Sequence, residues 1–209
     1  MIMEFVHKSV LFDEALKSLE LDGSKTVLDG TAGGGGHSRA IAKIAKRLIA
    51  VDQDPDAIAV LNERLSEFDN VTIVQNNFAN IKEILRELNI DGVDGILLDL
   101  GVSSFQLDNG DRGFSYHKDA VLDMRMSKQG LSAKDVVNTY SEQELADILW
   151  RYGEERFSRR IAKNIVEARE KKPIVTTGDL VDIIKASYPK SKMRDSHPAR
   201  KTFQAIRIE

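Results

Sequence analysis

The sequence predicts an α/β fold, with a parallel β-sheet and flanking helices up to Leu100 and a mostly helical unit after it. Three observations predict this fold. Short β-rich apolar runs alternate with stretches of helical period as far as Leu100, which is typical of βαβ units. A glycine-rich turn follows the first of these runs. Beyond Leu100 the alternation stops and helical periodicity dominates.

The first part is predicted to contain four strands and three helices. The last strand is apolar on both faces, as a buried parallel strand should be. The second helix has an acidic N-cap followed by proline, which is a favourable helix start. The predicted strands are Thr26–Asp29, Leu48–Val51, Val71–Val74 and Gly95–Leu100, and the predicted helices begin near His37, at Asp54-Pro55 and near Ile81.

The second part is predicted to begin with a long segment and to continue as helices. Residues 101–130 show no sustained period, so we expect an ordered loop or functional segment that does not belong to the core. Ser141 and Glu144 predict a capping box for a helix that runs through Tyr152, with Gly153 as its stop. Further helices are expected over residues 154–171, from Thr177 to a point before Pro189, and around residues 202–208.

Composition limits the classes of protein to which this chain can belong. With 209 residues and 42% apolar residues, it can build a packed core, which excludes a disordered chain. The net charge of −3 argues against a surface built throughout for nucleic acid, although residues 151–201 hold 14 basic and 7 acidic side chains. The absence of cysteine excludes disulfides and Cys-ligated zinc. No basic leader and no apolar run of about 18 residues is found, so we expect a cytoplasmic protein without a membrane partner.

The glycine-rich turn is the most informative segment. Residues 27–38 run from an apolar strand through four consecutive glycines into a helix. Glycine is needed where the backbone adopts positive φ and approaches a ligand without a Cβ in the way. The turn therefore favours a nucleotide-like cofactor, and a tight turn without a ligand is the alternative. The dinucleotide fingerprint fits badly, because Ser38 stands where that pattern requires a third glycine or alanine.

Polar and aromatic residues follow the predicted strands at the same edge of the sheet. Asp52 ends the second strand, where a carboxylate can accept hydrogen bonds from ribose hydroxyls, or can instead begin a helix, as we expect of Asp54. Phe78 follows the third strand and either covers an adenine or belongs to the core. Asp99 ends the fourth strand among apolar residues, so we expect it to serve a ligand or a proton transfer. Together with Asp29, these residues predict one binding edge.

Two other kinds of site are disfavoured. The four histidines show no metal-ligand spacing, so no metal site is predicted. They are His7, His37, His117 and His197. The Gly-x-Ser-x-Gly turn of serine hydrolases is absent as well.

Motifs spread over almost the whole chain resemble those of the bacterial methyltransferases that methylate N4 of a cytidine in 16S ribosomal RNA. The chain departs from the family at Val121, where proline is common, and at Ser127, where an acid is common. The matching stretches are residues 7–14, 29–38, 52–55, 97–104, 106–108, 112–115, 122–126, 152–157, 197–199 and 202–205.

The resemblance implies a Rossmann-like methyltransferase core with an inserted, mostly helical domain. It implies residues 1–106 as the part that binds S-adenosylmethionine, residues 107–196 as an RNA-recognition insertion, and residues 197–209 as a return to the core. The family's chains continue further, so we expect a C-terminally truncated chain whose fourth strand is an unpaired apolar edge, which would favour a homodimer. The predicted cofactor contacts are Asp29, Gly33, Gly35, Gly36, His37, Asp52, Phe78, Asp99 and Gln106.

The implied reaction transfers the sulfonium methyl group to the exocyclic amine of cytosine. Because the lone pair of this amine is delocalised into the ring, the enzyme must accept the amine's hydrogen bonds as charge develops. We expect Asp99 and the turn after it, including Ser103, to do so, and Asp99 can instead hold the cofactor. The partner is 16S ribosomal RNA or the small ribosomal subunit. The predicted phosphate contacts are Arg112, Arg125, Arg159, Arg160, Arg200 and Lys201.

Three alternatives to this function remain open at this point. The chain can be a non-catalytic module that binds cofactor or RNA, which cofactor affinity without methyl transfer would indicate. It can be a methyltransferase for another amine, in DNA or protein, which substrate tests separate. A nicotinamide-dependent dehydrogenase ranks last because of the glycine spacing.

Overall fold

A parallel four-stranded sheet forms the centre of the first of two units, in the order β3-β2-β1-β4. The computed structural model describes residues 11–103, 106, 110–189 and 197–209, and the chain divides into residues 1–104 and 105–209. The register pairs Asp29 with Ala50 and Asp52 with Gln75, so the carboxyl ends of these strands lie side by side. The strands are β1 Thr26–Asp29, β2 Arg47–Asp52, β3 Val71–Gln75 and β4 Gly95–Leu97.

Helices cover both faces of this sheet, which confirms the predicted α/β fold. Alternate strand residues point to opposite faces, and two separate apolar clusters result. One contains Val27 and Leu48 with residues from α2 and α3, and the other contains Leu28 and Ile49 with Ile84 of α4. Asp54 caps α3 as predicted, accepting the Asp56 backbone N–H at 3.0 Å. The helices are α1 Phe12–Ser18, α2 Gly36–Ala42, α3 Pro55–Arg64 and α4 Ile81–Glu87.

The fourth strand differs from its prediction. It ends at Leu97 instead of Leu100, and it is not buried on both faces, because Ile96 and Leu98 are 48% and 41% exposed. Within the described residues β4 pairs only with β1, so it lies at the edge of the sheet, where little apolar surface covers it. The expectation of an apolar edge is therefore met, whereas a homodimer that uses this edge stays a prediction.

Five α-helices lie in the described part of the second unit. Side chains cap three of them: Ser132, Ser141 and Thr176 each form a capping box with an acid three residues later. The helix expected from Thr177 does begin there, and its N-cap is Thr176. No helix among the described residues is long and apolar enough to cross a membrane. The helices are α5 Ala133–Thr139, α6 Glu142–Gly153, α7 Ser158–Arg169, α8 Thr177–Ser187 and α9 Ala199–Ile208.

Residues 110–130 of the long segment before α5 contribute to the core of the second unit, contrary to prediction. Phe114 and Leu122 are fully buried and Met124 is 6% exposed. Backbone hydrogen bonds, including Leu122 N–H to Val175 carbonyl at 3.0 Å, attach the segment to the residues before α8. These apolar residues are isolated in the sequence and so gave no periodic signal. Contacts with distant parts of the chain bury them.

The last helix, α9, covers most of residues 197–209, the range for which a return to the core was predicted. The structure places α9 in the second unit, where it packs on α6 and α8. At Gly153 an added Cβ would lie 2.5 Å from the Lys201 carbonyl oxygen, so glycine permits close helix contact. Phe203 and Ala205 of α9 are fully buried.

Candidate functional site

The glycine-rich turn forms a backbone cradle between β1 and α2. Gly33 and Gly35 have φ of +51° and +80°, a region that favours glycine. An added Cβ at Gly35 would also lie 3.2 Å from Leu61 Cδ2, which restricts larger residues there. Arg64 holds the turn from the side by donating to the Gly34 carbonyl oxygen at 2.6 Å. The sequence signal for this cradle was local, and the structure agrees with the positive φ that it implied.

Asp52 at the end of β2 joins the glycine turn to α3. Its carboxylate accepts the backbone N–H groups of Gly33 and Asp54, each at 2.8 Å. Burial raises the pKa of Asp52, while these backbone N–H groups act in the opposite direction. The side chain is half-buried, so oxygen lone pairs that the backbone does not use can accept from ligand hydroxyls.

Asp29 at the end of β1 lies beneath the glycine turn. The side chain is 1% exposed. It accepts the Ser38 hydroxyl at 2.6 Å and the Thr31 N–H at 3.2 Å. Burial raises the pKa of Asp29 to about 6, and the negative charges of Asp52 and Asp99 add to this effect. The carboxyl therefore orders the turn through α2, and its burial leaves it little direct access to a ligand.

His37 lies in the first turn of α2, beside this cluster. Its Nε2 atom is buried and has no hydrogen-bond partner among the described residues. The ring stacks on Phe12 of α1, with centroids 5.3 Å apart. Burial lowers the pKa of His37, and the charge of Asp99 opposes the shift. A neutral imidazole with an unpaired buried nitrogen is suited to a ligand that supplies the missing partner.

Asp99 and Phe78 lie at the same edge of the sheet. The Asp99 backbone N–H donates to Thr31 Oγ1 at 2.7 Å, which ties the end of β4 to the glycine turn, and the Asp99 side chain is exposed. Phe78 starts a short 3-10 helix after β3. It lies close to Gly30, where an added Cβ would be 3.1 Å from Phe78 Cβ. The predicted convergence of residues at this edge is therefore present.

Ser103 and Gln106 complete the residues predicted for this site. Ser103 is half-buried in the first unit and makes further interactions. Gln106 is 5% exposed and is grouped with the second unit, so its cofactor contact stays a prediction. His7, Leu107 and Asp108 of the quoted motifs lie outside the described residues. In the described part of the chain, no three His, Asp or Glu side chains form a group that could hold a metal.

The predicted phosphate-binding residues of the second unit have different surroundings. Arg112 donates to the carbonyls of Arg125 and Met126 at 2.7 and 3.0 Å. Arg125 forms a two-pronged ion pair with Asp123, at 2.7 and 3.0 Å. These two arginines brace the segment before α5, whereas Arg159, Arg160 and Arg200 are exposed. Lys201 donates to the Glu154 carbonyl oxygen at 2.9 Å. RNA contact by all six side chains stays a prediction.

Sequence reasoning missed three supporting residues. Thr31 accepts the Asp99 N–H, Ser38 donates to Asp29, and Phe12 stacks on His37. Ser38 was visible nine residues after Asp29 on the first turn of a predicted helix, where its hydroxyl could reach back. No local pattern indicated that α1, a helix that was not predicted, brings Phe12 to His37.

Comparison with known proteins gives a family match over almost the whole chain. The model of the MraW methylase family matches residues 4–209. A protein of Clostridium botulinum (strain Kyoto / Type A2) named ribosomal RNA small subunit methyltransferase H is 56% identical over 99% of this chain and 68% of its own length. A protein of the same name from Lachnospira eligens is 56% identical over 100% of this chain and 68% of its own. A solved rRNA methylase from Streptococcus thermophilus aligns over 58% of this chain and 71% of its own, with 20% identity and a TM-score of 0.38, too distant to inform the site.

Proposed function

Because this chain belongs to the MraW methylase family, we propose that it transfers a methyl group from S-adenosylmethionine to the exocyclic N4 amine of a cytidine in 16S ribosomal RNA. The observation that carries the proposal is the edge where Asp52, His37 and Asp99 surround the glycine turn. The relatives named above supply the substrate class, ribosomal RNA of the small subunit. This substrate implies action in the cytoplasm.

The residues at this edge fit S-adenosylmethionine. The turn at Gly33 and Gly35 leaves room for a ligand to approach the backbone. Asp52 lies at the end of β2, the position from which a carboxylate accepts ribose hydroxyls in doubly wound folds. The buried Nε2 atom of His37 lacks a partner that a polar group of the ligand can supply. Three carboxylates in one neighbourhood, Asp29, Asp52 and Asp99, favour a cationic ligand such as a sulfonium.

The acceptor amine is expected at the exposed Asp99 side chain. When bound, S-adenosylmethionine supplies an electrophilic methyl group on a sulfonium. The amine of cytosine is a poor nucleophile because its lone pair is delocalised, so acceptors of its N–H bonds are required. Asp99 is anchored through Thr31 at 2.7 Å and can offer its carboxylate oxygens, and the turn that ends at Ser103 offers backbone carbonyls. Holding both reactants in line supplies much of the acceleration.

The second unit is assigned to RNA contact. Its exposed arginines, Arg159 and Arg160 on α7 and Arg200 on α9, provide positive charge at the surface. Phosphate neutralisation by such residues gives affinity that falls with salt. The target base has to be unpaired or flipped to reach a pocket at a sheet edge.

The test of this function is methyl transfer from labelled S-adenosylmethionine to four substrates in parallel. These are unmethylated small ribosomal subunits, naked 16S RNA, DNA and a protein mixture. We expect label in ribosomal RNA with the unaltered chain and at least a hundredfold slower transfer with Asp99→Ala. Label only in DNA or protein would contradict the substrate class. Calorimetric binding of S-adenosylhomocysteine without transfer to any substrate would indicate a non-catalytic module.

A further inference from the structure

Three polar aromatic rings form a cluster in the second unit that the cofactor site does not use. Tyr116 stacks on His197, with ring centroids 4.5 Å apart and an interplanar angle of 13°. His117 lies 4.4 Å from Tyr116 and 5.8 Å from His197. The rings of Phe203 on α9 and Tyr116 pack edge to face, with centroids 5.6 Å apart. We call Tyr116, His117 and His197 the ring cluster.

The ring cluster is held firmly but is not enclosed. Phe203 is fully buried, so its edge contact anchors Tyr116 to the core. His117, by contrast, is exposed, and Tyr116 and His197 are half-buried. Rings that served only the core would be covered as Phe203 is. Polar rings that remain in contact with solvent while packed on one another provide a flat, pre-ordered surface.

Two basic side chains, Lys185 and Arg207, act electrostatically on members of the ring cluster. Lys185 and His117 act on His197, whose pKa is lowered first by burial and then by these neighbours. Arg207 lies near Tyr116 and donates to the Phe114 carbonyl oxygen at 2.9 Å. The Ala199 N–H donates to His197 Nδ1 at 3.3 Å, which assigns the ring proton of the neutral imidazole to Nε2. Aromatic rings can stack on a nucleic-acid base, and neighbouring cations can bind the phosphate that belongs to it.

We propose that the ring cluster is a stacking site for an unpaired base of the RNA substrate. The inference rests on the proposed function and adds a named contact to it. Single-stranded RNA is recognised largely by stacking of splayed bases on aromatic side chains. Tyr116 and His197 come from segments about eighty residues apart, so no sequence pattern pointed to this surface.

The proposal is tested by fluorescence anisotropy with two labelled oligonucleotides of equal length, a single-stranded RNA and its abasic counterpart. Stacking of a base contributes about 1–3 kcal/mol, so His117→Ala should weaken RNA binding by roughly tenfold. His117→Phe should restore binding, because it keeps a flat ring. The abasic oligonucleotide should bind His117→Ala and His117→Phe with the same affinity. Trp150→Ala is the matched control, because Trp150 is a 60% exposed ring outside the cluster.

The outcomes separate this proposal from the proposed function. RNA affinity that is unchanged in both His117→Ala and Tyr116→Ala overturns the stacking site, while methyl transfer by the same preparation leaves the function intact. An equal loss for the abasic oligonucleotide, or for Trp150→Ala, also overturns it. Failure of the unaltered chain to bind either oligonucleotide overturns the stacking site and RNA contact together. Because Tyr116 contacts the buried Phe203, the fold of Tyr116→Ala is checked by circular dichroism. If Tyr116→Ala is unfolded, the RNA affinity of His117→Ala alone tests the stacking site.

Discussion

The buried carboxyl of Asp29 makes the stability of the first unit depend on pH in an unusual direction. Burial raises its pKa from 3.8 to about 6, so the folded chain holds this proton more tightly than the unfolded chain. Each pKa unit corresponds to about 1.4 kcal/mol, which gives about 3 kcal/mol for this group. Its contribution is fully present below about pH 4 and is lost as the pH rises through about 6.

The variant Asp29→Asn isolates this effect. Asparagine can keep both hydrogen bonds, because its carbonyl accepts the Thr31 N–H and its amide donates to the Ser38 oxygen. It removes the buried charge, so the variant should gain up to about 3 kcal/mol over the unaltered chain between pH 4 and pH 7. Asp91→Asn removes an exposed acid and serves as the control.

Hydrogen exchange of β1 and β2 peptides measures the stability of the first unit separately from the second. With rising pH, the free energy of opening of the unaltered chain and of Asp91→Asn should fall below that of Asp29→Asn. If the free energy of opening changed with pH in the same way for all three proteins between pH 4 and pH 7, burial would not raise the pKa of Asp29, and the prediction would be wrong.

Three further predictions concern the cofactor cradle and the RNA surface. Asp52→Asn should weaken S-adenosylhomocysteine binding roughly tenfold or more in calorimetry, because the amide NH₂ of asparagine cannot accept a backbone N–H. The control Asp54→Asn keeps an N-cap and should bind the ligand normally. Equal affinities of the two variants would contradict a cofactor-binding role for Asp52. Gly35→Ala should lower both the melting temperature and cofactor affinity, since alanine at φ +80° costs about 1–2 kcal/mol; Gly23→Ala, with open space around it, should change neither. Arg159→Ala should lower the slope of log affinity for RNA against log salt by about one, and an unchanged slope would remove Arg159 from the interface.

Much of the first unit could be predicted from sequence because its signals are local. β1 has the predicted bounds, β2 is longer than predicted by one residue at each end, and β3 is longer by one residue at its C-terminal end. Apolar runs of strand length, an N-cap aspartate before proline and a glycine turn are each encoded by neighbouring residues. The convergence of Asp52 and Asp99 on one edge then follows from parallel topology.

The errors arise where distant residues decide the structure. The length of β4 was overestimated because an apolar run does not reveal that its strand pairs, among the described residues, on one side only. Burial of Phe114 and Leu122 depends on pairing with residues more than fifty positions away, as in the Leu122 N–H to Val175 hydrogen bond. The docking of α9 on α6 depends in the same way on Gly153 meeting Lys201.

The site shows the same division. The places of Gly35 and Asp52 at this edge could be predicted from motif and strand position, and their cofactor contacts stay predictions. The hydrogen bond from Asp99 to Thr31 and the stacking of Phe12 on His37 needed coordinates. The arginines were chosen for charge alone, and charge does not distinguish Arg125, which is paired with Asp123, from the exposed Arg159.

The central claim is that this edge directs a methyl group to N4 of cytidine in small-subunit RNA. The most direct measurement uses S-adenosylmethionine with a deuterated methyl group and unmethylated small ribosomal subunits, followed by digestion to nucleosides and mass spectrometry. We predict N4-methylcytidine that carries the deuterated group, and its loss with Asp99→Ala. A deuterated methyl group on carbon 5, on a ribose hydroxyl or on another base would contradict the claim.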